Sequence, residues 1–471
     1  MFSLIALPWL NGYTAGPSAG VYPWLFTVAC ALLLWPLLKF LTVRQVAWGW
    51  ALAALLSAGM GLLQYFGLSY KFAPWVFSTP AGEAFANLRQ RNQFATLTSI
   101  GLLSVLWCWS QAQGRGAKVQ LALAVLILAV GNAVSSSRTG GVQWVLVAML
   151  ALLWSHPARR QVAWVAVTAV AVYAATVYLL PLILGAVTGV TSSGLLGRFA
   201  EDPGCASRSV LWANVLHLIV QRPFLGWGWG ELSYAHMITL YPGQRFCDIL
   251  DNAHNLPLQL AVELGVPLGA LVTGALMYWV WRAKPWRETR ASRQLAWGVL
   301  AVIGLHSLLE YPLWYGPFQM AVALALWLLY GQKQSAISVL AQVVRGVTAT
   351  FSIAIVAYVV CDYWRVSQLY LSPAQRAPGY QADTLAKVHN SVLFKNQVLF
   401  AELTTTPLTP ENAQHLHDLA LQVLHYSPEA KVLQKLIESC VMLGQDEETK
   451  FYLLRYQLGF PEAHAVWMQK L

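Results

Sequence analysis

The chain has 471 residues, 57% of them hydrophobic and only 11% charged, with a formal net charge of +10 and a mean hydropathy of +0.51. Soluble domains carry about 25% charged residues, so a cytosolic enzyme is excluded, and the 22 Trp, 19 Tyr and 17 Phe exclude a disordered or low-complexity chain. What remains is an integral membrane protein.

Met1 to Leu10 is apolar but too short to span, and turn formers at Asn11, Gly12 and Gly16 follow it. It reads as the start of a helix, since it lacks the basic start and small-residue cleavage site of a signal peptide. About 20 apolar residues cross a bilayer as a helix. Runs that qualify or come close are Val21 to Phe40, Val46 to Phe66, Phe94 to Ser110, Val119 to Val134, Val142 to Trp154 and Val162 to Leu184. More follow from about Asn255 to Trp281, Leu295 to Leu309, Leu313 to Tyr330 and Val347 to Val360. These runs are apolar on all sides, unlike the alternating strands of an outer-membrane barrel. The expected fold class is all-α, a polytopic inner-membrane helical bundle of about 10–12 spans.

Cytoplasmic loops collect Lys and Arg. Alternate loops hold Lys39, Arg44, Arg115, Lys118, Arg159, Arg160, Arg282, Lys284, Arg287, Arg290, Arg293, Lys333 and Arg345 against the single acid Glu288, and therefore face the cytoplasm. The other loops balance Lys71, Arg89, Arg91, Arg138, Arg198, Arg208, Arg222 and Arg245 against Glu83, Glu201, Asp202, Glu231, Asp248, Asp251, Glu263 and Glu310, and face out. The positive charge is thus mainly a topology signal, and with no contiguous basic groove a nucleic-acid partner is not expected.

Two segments are not membrane helices: the loop from about Gly185 to His254, and the tail from Asp362 to Leu471, both outside by this topology. The division is then 1–184 N-terminal spans, 185–254 a large periplasmic loop, 255–361 C-terminal spans and 362–471 a periplasmic helical tail. In the tail, helices are expected over Asn412 to His425, Pro428 to Leu443 and Glu447 to Leu458, a pattern similar to tetratricopeptide repeats. Cys30 and Cys108 read as core residues. Cys205 and Cys247 share the large loop and either pair, as an oxidising compartment allows, or stay as two buried thiols.

Several polar residues stand out at the outer ends of apolar runs. Arg138, in Ser135-Ser136-Ser137-Arg138-Thr139-Gly140-Gly141, either snorkels to a lipid phosphate or lines an anion pocket made by small neighbours. Arg208 opens an amphipathic helix that includes Trp212 and also suits an anion. The run Gly226-Trp227-Gly228-Trp229-Gly230 is either a turn bringing backbone close to a ligand or an aromatic anchor at the interface. His254, where a polar loop enters an apolar run, is either a general base or a structural hydrogen-bonding residue. Glu263 faces away from it in one continuous helix, unless that helix begins near Pro257. His306 and Glu310, at i and i+4, share a helix face and can satisfy each other. Neither pair has the ligand spacing of a zinc site, so no metal is expected.

Together these residues resemble a family. Arg208 with Trp212, the Gly-Trp-Gly-Trp-Gly run, His254-Asn255 with Gln259, Glu263 and Gly265, and Glu310-Tyr311-Pro312-Leu313 are similar to the bacterial O-antigen ligase and polymerase superfamily. The last stretch and the soluble tail most resemble its pilin-glycosylating O-oligosaccharyltransferases. Asn87-Leu88-Arg89-Gln90-Arg91-Asn92-Gln93 resembles a further family motif, with Arg91 where Pro is expected.

The resemblance implies transfer of a glycan from undecaprenyl diphosphate to an acceptor hydroxyl, inverting and with neither metal nor cofactor, at the outer face of the inner membrane. His254 would be the base and Arg138, Arg208 and Arg91 the diphosphate clamp, with Asn255, Glu263, His306, Glu310 and Trp212 in support. The acceptor would be a periplasmic protein such as pilin, or lipid A-core for a ligase; a polymerase would join repeat units. Membrane lipids are the remaining partners. A lipid or polysaccharide transporter is the alternative of another class, but the chain shows no pair of related halves.

Overall fold

The computed structural model describes residues 1–154, 159–191, 194–195, 197, 204–331 and 339–469. Arg198, Glu201, Asp202 and Lys333, used above for orientation, lie outside the described residues, as does the side chain of Arg159. Among the described residues every regular element is a helix and none is a strand. Among the described residues, five helices are long and apolar enough to cross a membrane: Val21–Phe40, Val43–Tyr65, Arg115–Val134, Arg160–Thr188 and Val339–Tyr370. Arg138–Leu153 and Gly316–Tyr330 are shorter apolar helices.

The helices divide between two compact units. The first comprises Met1–Thr14, Ala19–Glu201 and Tyr278–Ala357. It holds α1 (Phe2–Leu10), α2 (Val21–Leu34), α3 (Val43–Tyr65), α4 (Arg91–Gln111), α5 (Arg115–Val134), α6 (Arg138–Leu153) and α7 (Arg159–Thr188). Small residues let its helices approach closely, the usual means of association where no hydrophobic effect acts between helices. A Cβ on Gly101 of α4 would overlap Ala54 of α3, and one on Gly131 of α5 would lie 3.1 Å from the Ala58 Cα. Trp9, Trp50, Phe94 and Trp144 fill the space between. α4 carries buried Thr96, Thr98, Ser99 and Ser104 on an otherwise apolar helix, because it is enclosed by other helices and turns its hydroxyls inward.

The second unit comprises Ala15–Ser18, Asp202–Met277 and Tyr358–Leu471. Its loop region forms α8 (Arg208–Gln221), α9 (Leu232–Ile238) and α10 (Leu256–Leu264), around Leu211, Val215, Leu232, Phe246 and Val262. α11 (Val266–Ala283) follows. The run expected as one span from Asn255 to Trp281 is therefore two helices, interrupted at Gly265, whose φ is +85°. With nine residues, α10 is about 14 Å long, too short to cross a bilayer, so the apolar segment available to span begins at Val266.

Two apolar helices complete the first unit, α12 (Ala291–Ser307) and α13 (Gly316–Tyr330), and α14 (Val339–Ser367) leads to the tail. The tail forms α15 (Thr384–Val388), α16 (Lys395–Thr405), α17 (Ala413–Tyr426), α18 (Ala430–Met442), α19 (Asp446–Gly459) and α20 (Pro461–Met468). The three helices expected there lie at α17 to α19, where leucines at helical spacing bury Leu416, Leu433, Leu436 and Ile437. α15 and α16 follow single turns at Pro373 and Pro378 and carry too short an apolar pattern to stand out. Met237 of α9 joins the tail core, and Glu231 Oε2 accepts a 2.7 Å hydrogen bond from His425 Nδ1 of α17. Loop and tail are thus built as one unit.

Candidate active site

Arg91, Arg138 and Arg208 each occupy the first position of a helix, directly after a polar cap. Gln90 accepts from the Gln93 N–H at 2.6 Å, Ser137 from Gly140 at 3.0 Å and Ser207 from Val210 at 3.3 Å. The cap settles one orphan N–H in each case, and the others point out of the helix end. A helix N-terminus carries partial positive charge, so a cation there is disfavoured by about 0.3–1 kcal/mol unless an anion joins it. A guanidinium beside the N–H groups of a helix start is a phosphate-binding arrangement.

In the first unit, two of these ends are tied together. Ser137 Oγ donates to Asn92 Oδ1 at 2.6 Å, and Asn92 Nδ2 donates to Glu310 Oε1 at 3.1 Å. Arg91 pairs with Glu83 at 3.3 Å. Arg138 itself is exposed while Ser135, Ser136 and Ser137 beneath it are buried. One turn further into α4, Thr96 Oγ1 lies 2.9 Å from His306 Nδ1 and receives Gln143 Nε2 at 2.8 Å. Gln143 also donates to the Val302 carbonyl at 2.9 Å. His306 and Glu310 stay close, with Glu310 N–H donating to the His306 carbonyl at 2.8 Å, while the Glu310 carboxylate accepts from Asn92 and the His306 ring bonds Thr96.

The loop before α4 is held by two buried amides. Gln64 accepts from the Ala86 N–H at 2.6 Å and donates to the Ala86 carbonyl at 2.8 Å, gripping a residue with φ +52°. Asn87 accepts from Phe77 N–H and donates to the Leu10 and Trp75 carbonyls. With Arg91 replacing the expected Pro, Gln90 supplies the cap that starts the helix.

In the second unit, His254 is fixed from both sides. Its N–H donates to Asn252 Oδ1 at 2.8 Å. The preceding Ala253 donates its N–H to Gln259 Oε1 at 2.6 Å, and its carbonyl accepts from Trp212 Nε1 at 3.0 Å. Asn255 then caps α10, accepting from Leu258 at 3.1 Å. His254 has φ +50°, a left-handed conformation that few non-glycine residues adopt outside turns and functional sites. Because α10 starts after it, Glu263 does not share a helix with it.

The Gly-Trp run is a Gly-rich turn packed on α10. Gly226, Gly228 and Gly230 have φ of +70°, +112° and +82° and bring the backbone against the end of α10. Trp227 and Gly228 donate to the carbonyls of Val262 and Glu263 at 2.9 and 3.0 Å, and a Cβ on Gly226 would sit 2.7 Å from the Gly265 N. The buried Glu263 carboxylate accepts from Gly230 N–H at 2.9 Å. Burial holds its pKa above the usual carboxylate range, against the Gly230 N–H and Gln259, which lower it. Cys205 and Cys247 form a disulfide with Cα atoms 5.5 Å apart.

Residues that the motifs did not single out as site residues are Gln64, Thr96, Ser137 and Gln143. A glutamine within an apolar run is itself a signal, since such a side chain must find partners inside. Comparison with known proteins assigns the class. Residues 121–273 match the family described as O-Antigen ligase, residues 294–471 the family described as Virulence factor membrane-bound polymerase, C-terminal, and residues 84–109 the family described as Protein glycosylation ligase.

This chain is similar to the O-antigen ligase superfamily, on its protein-glycosylating side. A General O-oligosaccharyltransferase of Acinetobacter baylyi is 24% identical over 415 residues, 86% of this chain and 67% of that protein. A ComP-specific O-oligosaccharyltransferase of the same organism is 25% identical over 285 residues, 60% of this chain and 50% of that protein. The matched regions thus span between half and two thirds of these relatives. No solved structure matches the chain. The superfamily resemblance drawn from the motifs holds, and the chain is an enzyme of the glycosyltransferase type.

Proposed function

We propose that this enzyme transfers an oligosaccharide from undecaprenyl diphosphate to a Ser or Thr hydroxyl of a periplasmic protein such as type IV pilin, from the outer face of the inner membrane and with inversion. The acceptor oxygen attacks the anomeric carbon, the carbon–oxygen bond to the diphosphate breaks, and the hydroxyl proton passes to the His254 ring. Undecaprenyl diphosphate leaves. Arg138, Arg208 and Arg91 hold its phosphates by charge-assisted hydrogen bonds at helix starts. The observation that carries this reading is the placing of all three arginines at the first position of a capped helix, in a chain that aligns over 86% of its length with an O-oligosaccharyltransferase.

Asn252, Asn255 and Trp212 position His254 by gripping the backbone around it. A second reading, ligation to lipid A-core or polymerisation of repeat units, draws on the matches over 121–273 and 294–471 and uses the same residues.

The test is expression with a lipid-linked glycan pathway and an acceptor protein, comparing wild type with His254→Ala and His254→Asn. Asn tolerates φ above zero better than Ala, so His254→Asn separates backbone strain from lost chemistry. Glycan is expected on the acceptor with wild type and lost by about 100-fold or more in both variants, which still insert. Retained transfer in His254→Asn would remove His254 as base. An unmodified protein acceptor beside a lengthened lipopolysaccharide would favour the second reading.

A further inference from the structure

We propose that the tail holds a zinc-type metal site made by His417, Cys440 and Glu448, separate from the transfer chemistry. The three residues come from three successive helices, α17, α18 and α19, and one donor atom from each lies within 4.8 Å of the other two. His417 Nε2 is 3.3 Å from Glu448 Oε2, about the edge of a tetrahedron whose centre is 2.0–2.1 Å from nitrogen and oxygen ligands. The other ring nitrogen, Nδ1, lies 3.1 Å from Asp418 Oδ1. A carboxylate on the far nitrogen of a ligating histidine is the usual support of a metal site, since it fixes tautomer and ring orientation.

The donor set decides the ion. A thiol, an imidazole and a carboxylate form a mixed S, N, O set that suits zinc and is foreign to calcium and magnesium, which take oxygen. A histidine merely satisfied between two carboxylates would need no sulfur beside it, yet the fully buried Cys440 brings Sγ to the same point. Cys440 and His417 are buried and the Glu448 side chain is partly exposed, which leaves a route for the ion and a fourth position for water. Binding would release the thiol proton and bond three helices of the tail to one centre, so that folding and metal binding are linked.

The experiment uses the untagged full-length protein in detergent, stripped with a chelator and titrated with cobalt(II). The expected result is one cobalt per chain with a near-ultraviolet thiolate-to-cobalt charge-transfer band, displaced by zinc. Cys440→Ser should remove the band, and Glu448→Gln, which leaves the buried core intact, should weaken cobalt affinity at least tenfold. Asp418→Asn should weaken it by about 10-fold while keeping the band. No thiolate band in the wild type, a band that persists in Cys440→Ser, or equal affinity in Glu448→Gln would each overturn the site.

Discussion

At the residue scale, the proposed chemistry uses guanidinium groups and one imidazole whose surroundings are polar and tightly specified. Lys cannot reproduce the planar fork of Arg on a phosphate, so Arg138→Lys and Arg208→Lys should each lower transfer on the order of tenfold, read as glycosylated acceptor formed per unit time. Normal turnover in both would remove the clamp. A different histidine gives a pH signature. His236 is buried, with Nδ1 2.8 Å from the Tyr241 hydroxyl and Nε2 3.2 Å from the Phe246 carbonyl. Burial, and then the nearby Arg245, push its pKa down to about 3. The folded state keeps it neutral, so its contribution to stability is complete above the unfolded pKa of about 6.5. That contribution is lost as pH falls towards 3, at up to about 1.4 kcal/mol per pH unit. Thermal unfolding between these limits should be less pH-dependent in His236→Gln; an unchanged profile would contradict the assignment. Of the proposed site residues, His254, Arg138 and Arg208 stood out in the sequence because polar groups at the ends of apolar runs need a reason. The inward network of Thr96, Gln143 and His306 did not, since partner choice depends on helix packing that no local pattern encodes.

At the element scale, the break between α10 and α11 is the informative feature. Hydropathy carries straight through Gly265, so the pattern alone reads one span. What interrupts it is backbone meeting backbone: Val266 N–H donates to the Pro223 carbonyl at 2.8 Å, and a side chain on Gly265 would overlap the Phe224 carbonyl. Gly265→Ala combines that overlap with a φ of +85° and should destabilise the second unit by roughly 2 kcal/mol or more, seen as a lower unfolding temperature with loss of transfer. An unchanged unfolding temperature would show that the Gly-rich run is not held against α10. In the tail, α17 to α19 were legible to within about two residues at each end, and water on one side leaves α17 and α18 a clear amphipathic period. Membrane helices offer no such contrast, which explains why their number and ends are less well marked than their existence.

At the scale of the whole molecule, composition alone separated a membrane protein from every soluble class, and among the described residues the regular elements are all helices, several of them apolar and of spanning length. Less visible was the assembly of the second unit from distant segments, the loop around α8 to α10 and the tail, sharing Met237 and the Glu231–His425 pair. That follows from long-range packing, for which a sequence gives only separate amphipathic pieces. The tail therefore shares one compact unit with His254 and Arg208. The most direct test of the central claim is reconstitution of the purified protein with an undecaprenyl diphosphate-linked glycan and a pilin acceptor, read by intact mass of the acceptor. The account predicts a glycan-sized increase with wild type and none with His254→Asn; an acceptor of unchanged mass with the wild-type protein, while the donor is consumed, would contradict protein glycosylation.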